Sequence, residues 1–177
     1  MMEHKAFLFN YQSFDRELRA VLEDALRSGD HGSLVSFINA HLVDLRDPYE
    51  GEPLGANWEA LIETQDPHQF GDFALTKYYN PTADIGVAAA WENLQELIAK
   101  NDPLLAESPI LGSTIGPKDN AFDPGKMGSY FQSAQQVRQS QSYLLNLAKE
   151  KPAEVLSGAL AMLQEAADAG TGLYVTF

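Results

Sequence analysis

Three side chains in one short stretch could form a nucleophilic centre: Lys126, Ser129 and Tyr130. A serine becomes a nucleophile when a neighbouring base takes its proton, and a desolvated lysine can serve as that base. No Gly-x-Ser-x-Gly elbow accompanies them, and a strand with Tyr130 and Phe131 on opposite faces explains the same residues without chemistry. The four histidines, His4, His31, His41 and His68, show neither i,i+4 pairing nor a His-Glu-x-x-His motif, so separate capping or surface roles are favoured over a metal site. Residues Asp119 to Gly125 offer oxygen ligands in a loop but lack the alternating spacing and late glutamate of a calcium loop; Asx-turn chemistry accounts for them. Gly112 and Gly116, followed by Pro117 and Lys118, approach a phosphate loop, but Pro117 removes an N–H where such a loop donates one and no Ser or Thr follows the lysine. Tight turns and close backbone approach are the better reading of these glycines. No metal and no cofactor is implied.

Charge carries more information than any of these motifs. Residues 1–125 hold 21 acids against 8 bases, whereas residues 126–177 hold 4 of each, so the whole net charge of −13 belongs to the first part. Its densest stretch runs Asp44-Leu45-Arg46-Asp47-Pro48-Tyr49-Glu50-Gly51-Glu52-Pro53-Leu54-Gly55, with Glu59, Glu63, Asp66 and Asp72 soon after. Two prolines and two glycines make the first twelve of these residues a loop, and residues 44–57 read as an acidic loop insertion. Such a surface disfavours nucleic acid and anionic membranes, which recruit Lys and Arg clusters, and leaves a basic protein or peptide as the partner it suits. The candidate partner-binding residues are Asp44, Asp47, Tyr49, Glu50, Glu52, Trp58, Glu59 and Glu63. Tyr49 or Trp58 would supply the apolar anchor, Trp58 as a partly exposed ring. Solubility alone is the plainer explanation of the acidity.

The rest of the chain must position these groups. At 177 residues, 45% apolar and 21% charged, it reads as a single globular domain spanning 1–177. It has no cysteine, which excludes disulfides and thiolate chemistry and suits a reducing compartment. Its apolar runs are too short for a bilayer span or a signal-peptide core, and a cytoplasmic, bacterial-type protein is the reading that follows.

The pattern predicts a strand over 4–11, with Phe7 and Phe9 on one face and Ala6 and Leu8 on the other. A helix capped by Ser13 follows, ending at Gly29, with Asp15–Arg19 and Glu23–Arg27 as i,i+4 pairs. Further helices are expected from Ser33, over 58–64 after Asn57, from Asp66-Pro67, and over 85–99 after Asp84. Asp123 to Lys126 suits a type II turn, and Met127 to Phe131 a strand. Ser133 caps the next helix, Pro152 opens the last at N1, and Leu173 to Phe177 forms a final strand. The class is therefore α+β: helix-rich, with a small mixed or antiparallel sheet in which the N- and C-terminal strands are neighbours. Phe177, last in an apolar strand, would suit the edge of a homodimer.

Several stretches of the second half carry a family resemblance. Asp84-Ile85-Gly86 through Trp91-Glu92-Asn93-Leu94, Pro109-Ile110-Leu111-Gly112-Ser113-Thr114-Ile115-Gly116, Gly128 to Val137, and Ala166-Ala167-Asp168-Ala169-Gly170 with Leu173-Tyr174-Val175 resemble corresponding segments of the YfbM-like bacterial proteins. The resemblance covers residues 84–177 and does not extend to the acidic loop. It implies a compact α+β domain of unknown function, carries over no catalytic residue, and associates the chain with small acidic proteins suspected of neutralising toxins. Two functional expectations result. The first is an acidic, immunity-like protein-interaction domain without catalytic activity that binds a basic partner. The alternative is a small hydrolase or small-molecule-binding enzyme with its pocket around Lys126, Ser129 and Tyr130; the balance weighs against an enzyme.

Overall fold

The structure, a computed structural model, describes residues 1–151 and 154–177. Its sheet has three antiparallel strands, β1 (Lys5–Phe9), β2 (Ser129–Gln132) and β3 (Gly172–Thr176), in the order β1-β3-β2. The first and last strands are neighbours as expected, with Phe7 opposite Tyr174, and on the other side Phe131 is opposite the same Tyr174. Seven helices complete the described residues: α1 (Tyr11–Glu17), α2 (Arg19–Ser28), α3 (Gly32–Ala40), α4 (Pro67–Leu75), α5 (Trp91–Asn101), α6 (Ala134–Glu150) and α7 (Glu154–Ala169). The class is α+β.

Strand alternation divides the apolar residues into two cores, one on each face of the sheet. Phe7, Phe9, Phe131 and Tyr174 face α1 to α4 and pack with Phe14, Leu22, Phe73 and Phe122. Phe14 and Phe131 stack with centroids 5.7 Å apart and planes within 2°. Ala6, Leu173 and Val175 face the other way, onto α5, α6 and α7 through Leu94, Val137, Leu144 and Leu163. The outer edges of the sheet are also occupied. His4 pairs with Ala88 and Ile85 N–H donates to the Ala6 carbonyl at 2.8 Å, while Ser113 exchanges both backbone hydrogen bonds with Phe131.

Local signals set most helix starts. The Asp66 carboxylate accepts the Gln69 N–H and Pro67 opens α4. Ser133 and Gln136 form a reciprocal capping box at α6. Gly29 takes the left-handed conformation (φ 78°) that ends α2.

Several expectations are corrected. The helix expected from Ser13 is capped by Asn10, whose carboxamide accepts the Ser13 N–H, and divides at Leu18 into α1 and α2. Arg19 gathers both Asp15 and Glu23, and Arg27 pairs with Asp24. Residues 85–90 are not helical: Asp84 accepts the N–H groups of Ala6 and Gly86, Ala88 bridges to His4 in a left-handed conformation (φ 49°), a turn follows, and the helix starts only at Trp91. The segment 58–64 contains only a 3₁₀ turn, Trp58–Leu61, without a side-chain cap. Gly125 is not left-handed; Lys126 is, at φ 58°, so the turn is not type II. Phe177 follows the central strand and not an edge, which removes the basis for pairing two copies through it. Pro152 lies outside the described residues.

Gly112 shows why the second glycine-rich segment has its composition. Its φ is 104°, and a side chain there would run into the Phe131 carbonyl. Gly112→Ala is therefore expected to lose about 2 kcal/mol or more of stability, from strain and displacement of β2 together. Urea denaturation of the purified variant measures it.

Candidate functional site

The acidic segment is more closely tied to the core than a free loop. Leu45 and Leu54 are buried and joined by a Leu54 N–H to Leu45 carbonyl hydrogen bond of 3.1 Å. Arg46 is bridged to Pro53, and Asp47 N–H donates to the Glu52 carbonyl at 2.8 Å. The Arg46 guanidinium is engaged by the Gly51 carbonyl at 2.8 Å, not by any of the acids.

This packing sorts the predicted residues into two groups. Asp44, Glu50, Glu52, Glu59 and Glu63 are exposed, and among the described residues none of them lies in an ion pair. Tyr49 is 61% exposed, with Val43 and Leu61 also exposed nearby in the chain. The others turn inward. Asp47 is only 8% exposed and accepts the Tyr49 and Glu50 N–H groups, an Asx turn that shapes the loop. Trp58 is 2% exposed, packed against Phe70 and Phe73, with its indole N–H donated to Asn39 at 2.9 Å. The expectation of an exposed Trp58 anchor is thus overturned: the ring is used in the core. Asp72, counted from sequence with the acidic surface, is also buried.

The Lys126, Ser129 and Tyr130 grouping does not assemble. Ser129 is 1% exposed and its hydroxyl lies 3.5 Å from that of Tyr174, on the Phe131 side of the sheet. Tyr130 points to the opposite face and packs in the second core, and Lys126 is exposed. Alternation along β2 separates the serine from the tyrosine. The histidines are equally dispersed. His4 is fully buried, donating to the Ile110 carbonyl and accepting the Val87 N–H, and burial lowers its pKa. His31 stacks on Phe70, His41 packs at a tilt against Phe37, and His68 joins Asn120 to the Asp123 N–H. Among the described residues no three metal-ligating side chains converge.

The structure instead presents a cavity that the sequence reading did not assemble. It has a volume of about 380 Å³ and lies between the loop at Pro48 and Tyr49, the turn around Pro81 and Asp84, the turn at Pro124 and Gly125, and the strands β1 and β3. Its walls are aromatic: Phe7 and Tyr79 have centroids 5.0 Å apart, and Tyr79 and Tyr174 5.1 Å. Asp72 opens into it from α4, 6% exposed. Burial pushes the Asp72 pKa up to about 7, against a lowering by the facing Tyr49 hydroxyl, and the nearby Asp47 carboxylate adds to the rise. Burial also raises all three tyrosines, Tyr49 to about 12, and the Asp72 charge raises each of them further. Lys5 lines the mouth but is exposed and makes no ion pair with Asp72.

A second cavity of about 380 Å³ lies between α6 and the 105–112 turns. Its lining mixes apolar groups such as Leu105, Ala106 and Pro109 with amides and hydroxyls, among which Gln132 donates to the Pro109 carbonyl and accepts from the Ser140 hydroxyl.

One sequence signal could have exposed the first cavity. Eight of the nine residues of α4 are buried, and Asp72 is the lone acid in Phe70-Gly71-Asp72-Phe73-Ala74-Leu75. A helix that is apolar on all sides is buried, so a carboxylate within it is buried too. No protein-family model, no curated protein and no solved structure matches this chain. No helix among the described residues is long and apolar enough to cross a membrane.

The pH dependence of stability tests the environment of Asp72. With its pKa raised to about 7, the folded chain keeps between about pH 4 and 7 a proton that the unfolded chain has lost. The contribution of Asp72 to stability therefore falls as pH rises through that window and levels off above it. Asp72→Asn is expected to flatten the slope, matching the parent chain near pH 4 and exceeding it at pH 8 by up to a few kcal/mol, at roughly 1.4 kcal/mol per pKa unit. Thermal melts of both proteins across this range read the difference directly.

Proposed function

We propose that the protein is an interaction domain that binds a basic protein or peptide through the face formed by residues 43–63. One observation carries this reading. Asp44, Glu50, Glu52, Glu59 and Glu63 stand in solvent with no ion-pair partner among the described residues, in the same stretch as the exposed side chains of Val43, Tyr49 and Leu61. Unpaired like charges attract a cationic partner over the Debye length and speed its encounter, and exposed apolar side chains among them give the encounter somewhere to settle. The contrast with α1 and α2 supports the assignment: there Asp15, Glu23 and Asp24 are all paired with arginines. Tyr49 replaces Trp58 as the anchor, and Asp47 acts through the loop it shapes. The resemblance of residues 84–177 to YfbM-like proteins adds no residue to this face, and a toxin-neutralising role fits it without being required.

The reading is tested with a short oligolysine peptide, titrated calorimetrically at low and high salt. The expected result is binding that weakens about tenfold or more between the two, and a comparable loss when Asp44, Glu50, Glu52 and Glu59 are replaced by Asn or Gln. An affinity indifferent to both salt and these four substitutions, or no binding at low salt, rejects the proposal.

A further inference from the structure

We infer that the cavity beneath Pro48 and Tyr49 is a binding site for an alkylammonium group, seated between the Asp72 carboxylate and the aromatic faces of Tyr49, Tyr79 and Tyr174. The inference rests on the cavity and goes beyond the docking face.

Three observations specify the ligand's chemistry. First, Asp72 is nine-tenths buried, opens into the cavity, and has no Lys or Arg partner among the described residues; the charge nearest it in effect is the like charge of Asp47. A buried carboxylate without a counter-ion is costly, and an incoming cation relieves that cost. Second, the walls are rings whose negative π faces attract cations, with Phe7, Tyr79 and Tyr174 in mutual contact at centroid distances of 5.0 to 6.2 Å. Third, the volume of about 380 Å³ lies in the range of small-ligand pockets.

The same residues exclude other occupants. A metal ion of the calcium type takes six or more oxygens, several of them carboxylate, and no such cluster of ligating side chains is present among the described residues. An anion would meet the carboxyl groups of Asp72 and Asp84, with the exposed Lys5 at the mouth as the cationic side chain among the lining residues. An ammonium head fits the buried Asp72 carboxylate, and its alkyl stem fits the aromatic wall.

Ammonium of this kind has two sources, a free amine and the lysine side chain of a bound peptide. The experiment titrates n-butylammonium, its neutral counterpart n-butanol and the oligolysine peptide into the intact protein and into Asp72→Asn, following tyrosine resonances by NMR. A Tyr49→Leu variant, at an exposed position that does not threaten folding, supplies the second handle. The expected result is saturable n-butylammonium binding, at least tenfold weaker in Asp72→Asn and several-fold weaker in Tyr49→Leu, with n-butanol far weaker throughout. If Asp72→Asn also weakens oligolysine, a lysine side chain enters the cavity; if it weakens only n-butylammonium, the cavity serves a free amine. Equal binding by Asp72→Asn and the parent chain, equal binding of the alcohol, or no saturable binding of the amine overturns the inference. The four surface substitutions leave n-butylammonium binding unchanged, so failure of the docking face and failure of the cavity give different results.

Discussion

The pairing of β3 on both sides is the constraint from which the rest of the molecule follows. Its five residues bond β1 along one edge and β2 along the other, so three distant parts of the chain share one hydrogen-bonded surface. Backbone groups in a dry interior must be paired, and a central strand meets that demand only when both neighbours are present. Tyr174 shows the consequence. It is opposite both Phe7 and Phe131 and stacks on Phe131 at 5.0 Å, so one ring sits where the two ladders and the first core meet. Backbone bonds from Ile85 and Ala88 on one side and Ser113 on the other then occupy parts of the outer edges, which shortens the exposed ladders that invite pairing between chains.

What could be read from sequence was what short-range physics decides. The alternation of Ala6 to Phe9, the Asp66-Pro67 start of α4, the Ser133 capping box and the glycine end of α2 each depend on a few neighbouring residues, and each appears in the fold. The failures involve distant partners. Residues 85–90 have apolar residues that suit a helix, but Asp84 and Ile85 bond to β1, and those bonds satisfy more of the sheet than a helical turn would. Trp58 carries no mark of burial in its own segment; Asn39 and the α4 phenylalanines bury it. The cavity is the extreme case, since its walls come from β1, α4, β3 and three turns. Its acid alone was legible, through the apolar neighbours of Asp72 in α4.

The acids behind the net charge of −13 thus stand in at least four different situations. On α1 and α2 the acids are neutralised by arginines on the same helical faces, a weakly stabilising surface arrangement. Glu17 serves packing between elements: it accepts from Lys77 at 2.6 Å and from the Tyr78 hydroxyl at 2.9 Å, which fastens α1 to the chain following α4. Along residues 44–63 Asp44, Glu50, Glu52, Glu59 and Glu63 remain solvated and, among the described residues, outside any ion pair, while Asp47 turns inward. At Asp72 a carboxyl group is withdrawn from water altogether. Exposed acids outside any ion pair among the described residues also occur elsewhere, as at Glu92, Glu107 and Asp168; what distinguishes residues 44–63 is their density along one segment, and what distinguishes Asp72 is its burial.

Tyr49 belongs to both of these places. Its ring is largely in solvent, while its hydroxyl faces Asp72 across the cavity. The loop that carries it is held by Asp47, whose carboxylate fixes the Tyr49 and Glu50 N–H groups, and by Gly51, whose backbone packs against Thr82 beside the cavity turn. Tyr49 thus links a segment rich in exposed acids to the buried carboxyl that Asp72 contributes from α4. Of this segment Pro48 and Tyr49 line the cavity, and none of the exposed acids does. Glu59 contributes only to the outer side and Asp72 only to the inner. Substitutions at these two positions separate the roles, whereas a substitution at Tyr49 disturbs both.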